Sequence, residues 1–394
     1  MSTLDDLGLV IDRIPFLGTI KTDLAQLRRV LVDRRAPRIL ALGHAGAGRT
    51  TLANELLAAA VLPTDAGHLA SESAPSSAAS TASEMARVIA PEGQWVHVRA
   101  AGRSLDWLEL DATEDGALDA TRRDRLERAL AEAPPDVILL CIEAPAALAE
   151  LKPIAATLAV VSQLLKSRRA EGAEAPPVLP VLTKLDLVLG SSSPESLDAK
   201  AVAEREVQAL KSALEASQIS APRPIACASR PEPQLLAALA DEIYVRLPDA
   251  AQVETARAFP VSRDKKREVA RLVVHRASTI AVTIGLAPVP FSDAIILVPL
   301  QGLMVTAVAY IGGQPWDARA AAEWVASIGV LGAAAMGLRW GAQQLVKLVP
   351  GAGTLLSASV AGTGTLAMGR SAIAYFIDGP GLRRPRALLP EHAG

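Results

Sequence analysis

The sequence predicts an α/β domain with a mostly parallel sheet and helices on both faces, followed by an all-α hydrophobic domain. Two observations support this. Short apolar runs alternate with helix-period segments between residues 37 and 247, which is typical of a parallel sheet covered by helices. The last third instead contains long stretches with almost no charge. We therefore expect three segments: an N-terminal helix (1–35), the α/β domain (36–248) and a helical domain (249–394).

Composition limits the class of protein. Of 394 residues, 50% are hydrophobic but only 3% are aromatic, and 21% are charged, which excludes wholesale disorder. The net charge of −2 excludes an overall basic footprint for nucleic acid. From residue 260 onward 13 Lys+Arg face 7 Asp+Glu, so the last third is weakly basic and the rest acidic.

The two cysteines, Cys141 and Cys227, are too few for a disulfide framework or a Cys-rich zinc site. Each lies in a short apolar run, so we expect packed thiols. The first ten residues contain Asp5 and Asp6 and no basic residue, which is unlike a signal peptide. These features favour a reducing cytoplasm or the membrane face beside it.

The elements follow in order along the chain. Leu24, Leu27, Val30 and Leu31 recur at helical intervals and predict an amphipathic helix that ends near residue 35. A Ser/Ala-rich segment, residues 68–84, predicts a mobile loop. The predicted strands are 39–43, 95–100, 107–111, 137–142, 178–183 and 224–228, and the predicted helices are 50–60, 118–133, 146–166, 195–217 and 234–246.

The last third contains three apolar stretches: 277–313, with Asp293 as its single ionisable carboxylate, 324–338 and 348–369. Stretches of about 18 residues or more are candidates for spanning a bilayer. Prolines and glycines interrupt them, so re-entrant or hairpin arrangements are equally compatible. The alternative is a buried all-α domain whose helices are apolar on every side.

A glycine-rich segment follows the first predicted strand and opens the first helix. It resembles the phosphate-loop pattern G-x-x-x-x-G-K-[ST] with arginine in place of lysine, and we expect nucleotide contacts from Gly43, His44, Ala45, Gly46, Ala47, Gly48, Arg49, Thr50 and Thr51. Glycines let backbone N–H groups converge on phosphate, and the helix directs its positive end at it. Thr50 would supply a hydroxyl to Mg²⁺. Arg49 keeps the positive charge but not the compact shape of lysine. A bare tight turn is the alternative.

The tetrapeptide Thr183-Lys184-Leu185-Asp186 follows the fifth predicted strand. Its pattern, [NT]-K-x-D, is the guanine reader of GTPases. The Asp186 carboxylate can accept hydrogen bonds from guanine N1–H and the exocyclic amine together. We expect Lys184 to lie along the base and to reach back to the phosphate loop.

Residues 37–247 therefore resemble the G domain of Era-like, translation-factor-class GTPases. The resemblance implies that Asp111 holds Mg²⁺ through water, that a switch threonine, best matched by Thr81, also binds the metal, and that Ala228 contacts the guanine oxygen. The sequence departs from the family at Arg49 and at Glu114, which replaces the glycine of D-x-x-G. No catalytic glutamine is identifiable.

The C-terminal third resembles the YcjF-like module found beside bacterial GTPases, and this likeness implies membrane association. It rests on about 110 residues, with Pro288, Pro290, Asp293, Gln301, Met304, Pro350, Gly351, Gly353, Thr365 and Gly369 as its markers.

We thus expect a GTP-binding switch with GTP or GDP and Mg²⁺ as ligands, at the cytoplasmic side of a bacterial-type inner membrane. The expected partners are membrane lipid and, through self-association, other copies of the chain. We do not expect nucleic acid as a partner. Hydrolysis would proceed by attack of water on the γ-phosphate, catalysed by positioning and charge. Arg49 and Glu114 leave two alternatives open: a pseudo-GTPase scaffold, and a structural membrane protein regulated by its G domain.

Overall fold

The computed structural model describes two compact units, Arg35–Ser262 and Met1–Arg34 with Arg263–Gly394. Within the chain it describes residues 27, 30, 31, 33–59, 92–100, 103–113, 118–144, 148–168, 174–189, 197–227, 233–285, 292–317 and 352–379. The first unit contains a six-stranded, mostly parallel sheet with helices, which confirms the predicted α/β class. The predicted loop 68–84, the apolar stretch 324–338 and Thr81 lie outside the described residues.

The elements of the first unit alternate as the sequence predicts. The strands are β1 (Arg38–Gly43), β2 (Trp95–Ala100), β3 (Arg103–Asp111), β4 (Val137–Glu143), β5 (Val178–Thr183) and β6 (Ile225–Ala226). The helices are α1 (Arg49–Ala59), α2 (Ala120–Glu132), α3 (Leu148–Arg168), α4 (Leu185–Leu189), α5 (Leu197–Ala216), α6 (Pro233–Arg246) and α7 (Asp249–Ala258).

The strand order in the sheet is β2-β3-β1-β4-β5-β6. Strand β1 pairs in parallel with β3 on one side and β4 on the other, and β2 is antiparallel to β3 at the edge. The chain therefore continues in opposite directions on the two sides of β1. Crevices for ligands form at such a switch point, outside the carboxyl ends of the parallel strands.

The central strands are apolar on both faces because helices cover both. In β1, Leu40 and Leu42 pack in one core with residues of α2, α3 and α5. The alternate residues Ile39 and Ala41 are equally buried. Helix α7 packs on β3, where the Ser104 hydroxyl lies 3.3 Å from Glu254 Oε2. The α/β unit consequently extends to Ser262, past the predicted boundary at residue 248.

The second unit contains α8 (Arg263–Gly285), α9 (Ser292–Ile311) and α10 (Ala352–Ile373), and α10 continues as a π-helical turn, Ala374–Asp378. The three helices contact one another. Gln301 of α9 donates a hydrogen bond of 2.9 Å from Nε2 to the buried hydroxyl of Thr365 on α10. Val30 and Leu31, from the predicted N-terminal helix, are helical and buried.

Within the described residues, no helix combines the length and the apolar character that crossing a membrane requires. In α8 the apolar residues Ala277, Ile280, Ala281 and Ile284 are buried.

Candidate functional site

The candidate site begins at Gly43, the last residue of β1, at the switch point of the sheet. Gly43 lies opposite Asp111 of β3 and Cys141 of β4 in the strand register. A Cβ atom on residue 43 would lie 2.4 Å from the carbonyl oxygen of Cys141, so this position accepts only glycine without a backbone shift. The loop therefore leaves the sheet tightly packed against β4.

The predicted phosphate loop, residues 43–50, joins β1 to α1 in a compact turn. Gly46 and Gly48 have φ angles of +84° and +79°, which L side chains rarely adopt. The Ala47 N–H donates to the His44 carbonyl at 3.1 Å, which closes the turn. Helix α1 has 11 residues, and its amino end faces the loop, as an anion site requires.

Arg49 points its guanidinium at the ends of β1 and β3. The side chain is 8% exposed, and Nη1 donates to the carbonyl oxygens of Gly43 at 2.7 Å and Leu110 at 2.6 Å. Nη2 donates to Asp111 Oδ1. Since a guanidinium has five N–H donors, three are committed to the sheet. The prediction that Arg49 contributes its charge to phosphate therefore depends on the N–H donors that are not committed to the sheet.

Thr50 donates its hydroxyl to Glu109 Oε1 at 2.7 Å. The same carboxylate oxygen accepts from the indole Nε1 of Trp107 at 2.9 Å, and Oε2 lies 3.9 Å from Arg49 Nε. Glu109 is 8% exposed and lies within β3. A buried carboxylate thus links β3 to the first turn of α1.

Asp111, the predicted metal residue, is held through its backbone as well as its side chain. Its N–H donates to Glu92 Oε1 at 3.1 Å, and Arg122 Nη2 donates to its carbonyl oxygen at 3.0 Å. Glu92 and Arg122 also form an ion pair with each other. These contacts fix the end of β3 beside the phosphate loop.

Thr183 connects the two predicted motifs. Its buried hydroxyl lies 2.9 Å from the Ala47 carbonyl and 3.2 Å from the Ile142 carbonyl. Lys184 has a φ angle of 55°, and its ammonium lies 2.8 Å from Glu143 Oε2. Glu143, which pairs with this ammonium, lies opposite Thr183 in the register of β4 and β5. That Lys184 also reaches back to the phosphate loop stays a prediction.

The other predicted nucleotide contacts surround this connection. Asp186 lies in the first turn of α4. Its side chain is partly exposed, and His44 and Gly48 of the phosphate loop are also partly exposed. Ala45, Gly46 and Thr51 are exposed, whereas Ala47 is buried. Ala228, Thr81 and Glu114 lie outside the described residues.

Both cysteines are packed thiols, as the sequence predicts. Burial raises the pKa of the Cys141 thiol to about 12, although the nearby Arg49 charge opposes that rise. Burial also raises the pKa of the Cys227 thiol to about 12. Both groups are therefore neutral thiols near pH 7 and poor nucleophiles.

The donor atoms of the predicted metal residues Thr50 and Asp111 suit Mg²⁺. Thr50 and Asp111 offer oxygen, which Mg²⁺ prefers. Each keeps oxygen capacity, because the Thr50 hydroxyl uses its proton toward Glu109 and the Arg49 contact uses Oδ1 of Asp111. No group of three or more His, Cys, Asp or Glu side chains suited to hold a metal by themselves occurs in the described parts of the chain. The residues fit Mg²⁺ that arrives with phosphate oxygens.

Sequence reasoning missed Glu109, Glu143, Glu92 and Arg122. A signal exists for Glu109, because Trp107, Glu109 and Asp111 alternate along β3 and so share one face. A carboxylate on a buried strand needs a hydrogen-bond donor or a positive charge as its partner. Because Glu109 shares a face of β3 with Asp111, that partner is expected on the same side of the sheet.

Comparison with models of known protein families gave no match for this chain, and comparison with curated protein sequences gave none either.

Proposed function

We propose that residues 35–262 bind a guanine nucleotide and act as a GTP-dependent switch with slow hydrolysis. The observation that supports this most directly is the hydrogen bond from the Thr183 hydroxyl to the Ala47 carbonyl. It places the predicted guanine reader beside the predicted phosphate loop, although 136 residues separate them in the chain. A single nucleotide would therefore contact both motifs, its base at one and its phosphates at the other.

The phosphate half of the proposal depends on the backbone. The first N–H groups of α1 have no partner within the helix, and together with the helix dipole they favour an anion. Gly46 and Gly48 carry no side chain over the loop, and an added Cβ at Gly46 would meet no atom within 4 Å. The Cα of Gly46 therefore faces open space, so no side chain of the described residues blocks a ligand at that point.

The base half depends on Asp186. Its partly exposed carboxylate at the start of α4 can accept two N–H donors from one edge of guanine, whereas adenine offers no such pair. The Lys184 stem would pack against the flat face of the base. Its ammonium is held by Glu143, which fixes the stem in place.

Mg²⁺ would enter with the nucleotide and be held by the Thr50 hydroxyl and, through water, by Asp111. When bound, it supplies positive charge that offsets the phosphate oxygens. The Arg49 guanidinium would add a fixed positive charge beneath the loop, and Asp111 would stay oriented by Glu92 and Arg122.

A pseudo-GTPase scaffold is the second candidate, and the Arg49 contacts favour it. A side chain that donates to two backbone carbonyls and a carboxylate stabilises the ends of β1 and β3, which is a structural role that requires no nucleotide. In that function the α/β unit would serve as a folded platform for a partner.

We also propose that the last third holds the protein at the cytoplasmic face of a membrane, as its apolar composition suggests. A structural membrane protein regulated by its G domain is a variant of the same idea. The burial of α8 residues against other helices is equally compatible with a helical domain that folds on itself.

The deciding experiment is nucleotide extraction and titration of the full-length protein. We expect purified protein to release GDP or GTP on denaturation, and the emptied protein to bind both in calorimetry but not ATP. Absence of binding to any nucleotide would favour the scaffold. Equal affinity for ATP would mean that Asp186 does not read guanine.

A further inference from the structure

Glu109 is a buried carboxylate that no predicted motif includes. It lies on β3 between Trp107 and Asp111 and is 8% exposed. Burying a carboxylate is unfavourable unless hydrogen bonds or charges compensate it. Its partners therefore indicate why the strand carries an acid at this position.

Three groups fix the Glu109 carboxylate. Thr50 Oγ1 and Trp107 Nε1 both donate to Oε1, at 2.7 and 2.9 Å, and Arg49 Nε lies 3.9 Å from Oε2. Two of these partners, Arg49 and Thr50, are consecutive residues at the start of α1. The carboxylate thus contacts two side chains in the first turn of the helix that follows the phosphate loop.

The contact with Thr50 has a chemical consequence. A hydroxyl has one proton to donate and two lone pairs that accept. Because the proton is directed to Glu109, both lone pairs of the Thr50 hydroxyl remain available to a cation or a donor. A hydroxyl that binds Mg²⁺ must present a lone pair to the metal.

We propose that Glu109 is a positioning residue that orients the Thr50 hydroxyl for nucleotide-bound Mg²⁺. This inference rests on the proposed guanine-nucleotide function. Glu109 does not contact the metal in this role; it acts through Thr50, as outer carboxylates act through the ligands they orient. Trp107 and Arg49 hold the carboxylate in the required position.

The test compares the GDP affinity of the full-length protein with Mg²⁺ and with a chelator. In Glu109→Gln we expect the gain in affinity that Mg²⁺ gives to fall about 10-fold or more, as is typical when the partner of a metal ligand is changed. The affinity without Mg²⁺ should stay within about 2-fold of the parent, because the phosphate loop is otherwise unchanged.

A double-mutant cycle separates positioning from simple structural support. In a Thr50→Ala background the effect of Glu109→Gln on the Mg²⁺-dependent gain should vanish, because the hydroxyl that Glu109 orients is gone. Trp107→Phe keeps the carboxylate and removes one donor. If Glu109→Gln does not fold, Trp107→Phe should still reduce the Mg²⁺-dependent gain, by less than the roughly 10-fold expected of Glu109→Gln, because the carboxylate remains.

Three results would overturn the inference. An equal loss of affinity with and without Mg²⁺ would assign Glu109 a structural role only. An undiminished effect in the Thr50→Ala background would mean that Glu109 does not act through Thr50. A parent protein that binds no nucleotide under either condition would reject the proposed function and this inference with it, whereas the first two results leave nucleotide binding intact.

Discussion

The Thr183 hydroxyl lies 2.9 Å from the Ala47 carbonyl oxygen, so a single side chain joins the end of β5 to the phosphate loop. Thr183 is 4% exposed, and its hydroxyl also contacts the Ile142 carbonyl at 3.2 Å. Because both acceptors are backbone atoms of other segments, Thr183 determines how the loop, β4 and β5 meet.

Replacing Thr183 with valine should test this connection. Valine keeps the shape but cannot donate, so the free energy of unfolding should fall by about 1–2 kcal/mol, the cost of an unsatisfied buried acceptor. Urea denaturation followed by circular dichroism would measure the change. Thr183→Ser keeps the hydroxyl and is the matched control; a loss of stability in Thr183→Ser alone, with Thr183→Val as stable as the parent, would mean that the methyl group, not the hydrogen bond, matters.

Guanine specificity should reside in Asp186. Asp186→Asn should weaken GTP and GDP binding by about 2–4 kcal/mol, because paired charge-assisted hydrogen bonds are lost. The same variant should accept xanthine nucleotides, whose additional carbonyl suits an amide donor. Calorimetry with GTP and XTP on parent and variant measures both effects. Unchanged GTP affinity in Asp186→Asn would contradict the assignment of a guanine reader.

The strands were predictable where burial on both faces leaves a continuous apolar run, as in β1, β4 and β5. Strand β3 begins at Arg103, four residues before the predicted start at 107. Residues 103–106 are Arg, Ser, Leu and Asp, so they contain a single apolar residue and lack that signal. They become a strand because β2 pairs with them, Ala100 lying opposite Arg103. Such pairing depends on tertiary contacts that a local pattern does not contain.

The candidate site was predictable only in its backbone motifs. The glycines of the loop and the tetrapeptide at 183–186 follow fixed local patterns, so their positions could be read directly. Glu143 faces Lys184 because of the register between β4 and β5, and that register is a property of the folded sheet. The pairing of Glu143 with Lys184 could therefore be identified only from the structure.

Membrane association should belong to the last third. Full-length protein should co-sediment with anionic lipid vesicles, whereas protein truncated after Ser262, the end of the α/β unit, should not. This prediction is based on the near absence of charged residues over 277–313 and 348–369. If the full-length protein is monodisperse without detergent and does not bind vesicles, the result would favour a helical domain that folds on itself.

The close packing of α8 and α10 should depend on Gly369. An added Cβ at this residue would lie 2.4 Å from Val274 Cγ1 and 2.5 Å from Cγ2. Gly369→Ala should therefore lower the free energy of unfolding by about 1–3 kcal/mol through overpacking. Gly364 lies on the same helix with no atom within 4 Å of an added Cβ, so Gly364→Ala should be neutral or stabilising by up to about 1 kcal/mol. Thermal unfolding of both variants measures the difference, and equal effects would contradict the packing argument.

Arg49 should limit turnover more than binding. Its planar guanidinium donates to the Gly43 and Leu110 carbonyls and to Asp111, so it is held in place while charge moves during phosphoryl transfer. A lysine ammonium is more compact, and its stabilisation of the reacting phosphate increases as the charge shifts. We therefore expect measurable GTP affinity, very slow hydrolysis, and an Arg49→Lys variant whose hydrolysis rate rises by a larger factor than its affinity.

Single-turnover hydrolysis and dissociation constants of both proteins measure these quantities. Arg49→Lys should also unfold more readily without nucleotide, because three ammonium donors on a flexible stem cannot reproduce the forked contacts to two strands. Urea denaturation of the nucleotide-free proteins supplies that control and is independent of any activity. Fast hydrolysis by the parent would mean that arginine substitutes fully for lysine. Binding by neither protein, with the expected loss of stability in Arg49→Lys, would mean that Arg49 stabilises a scaffold.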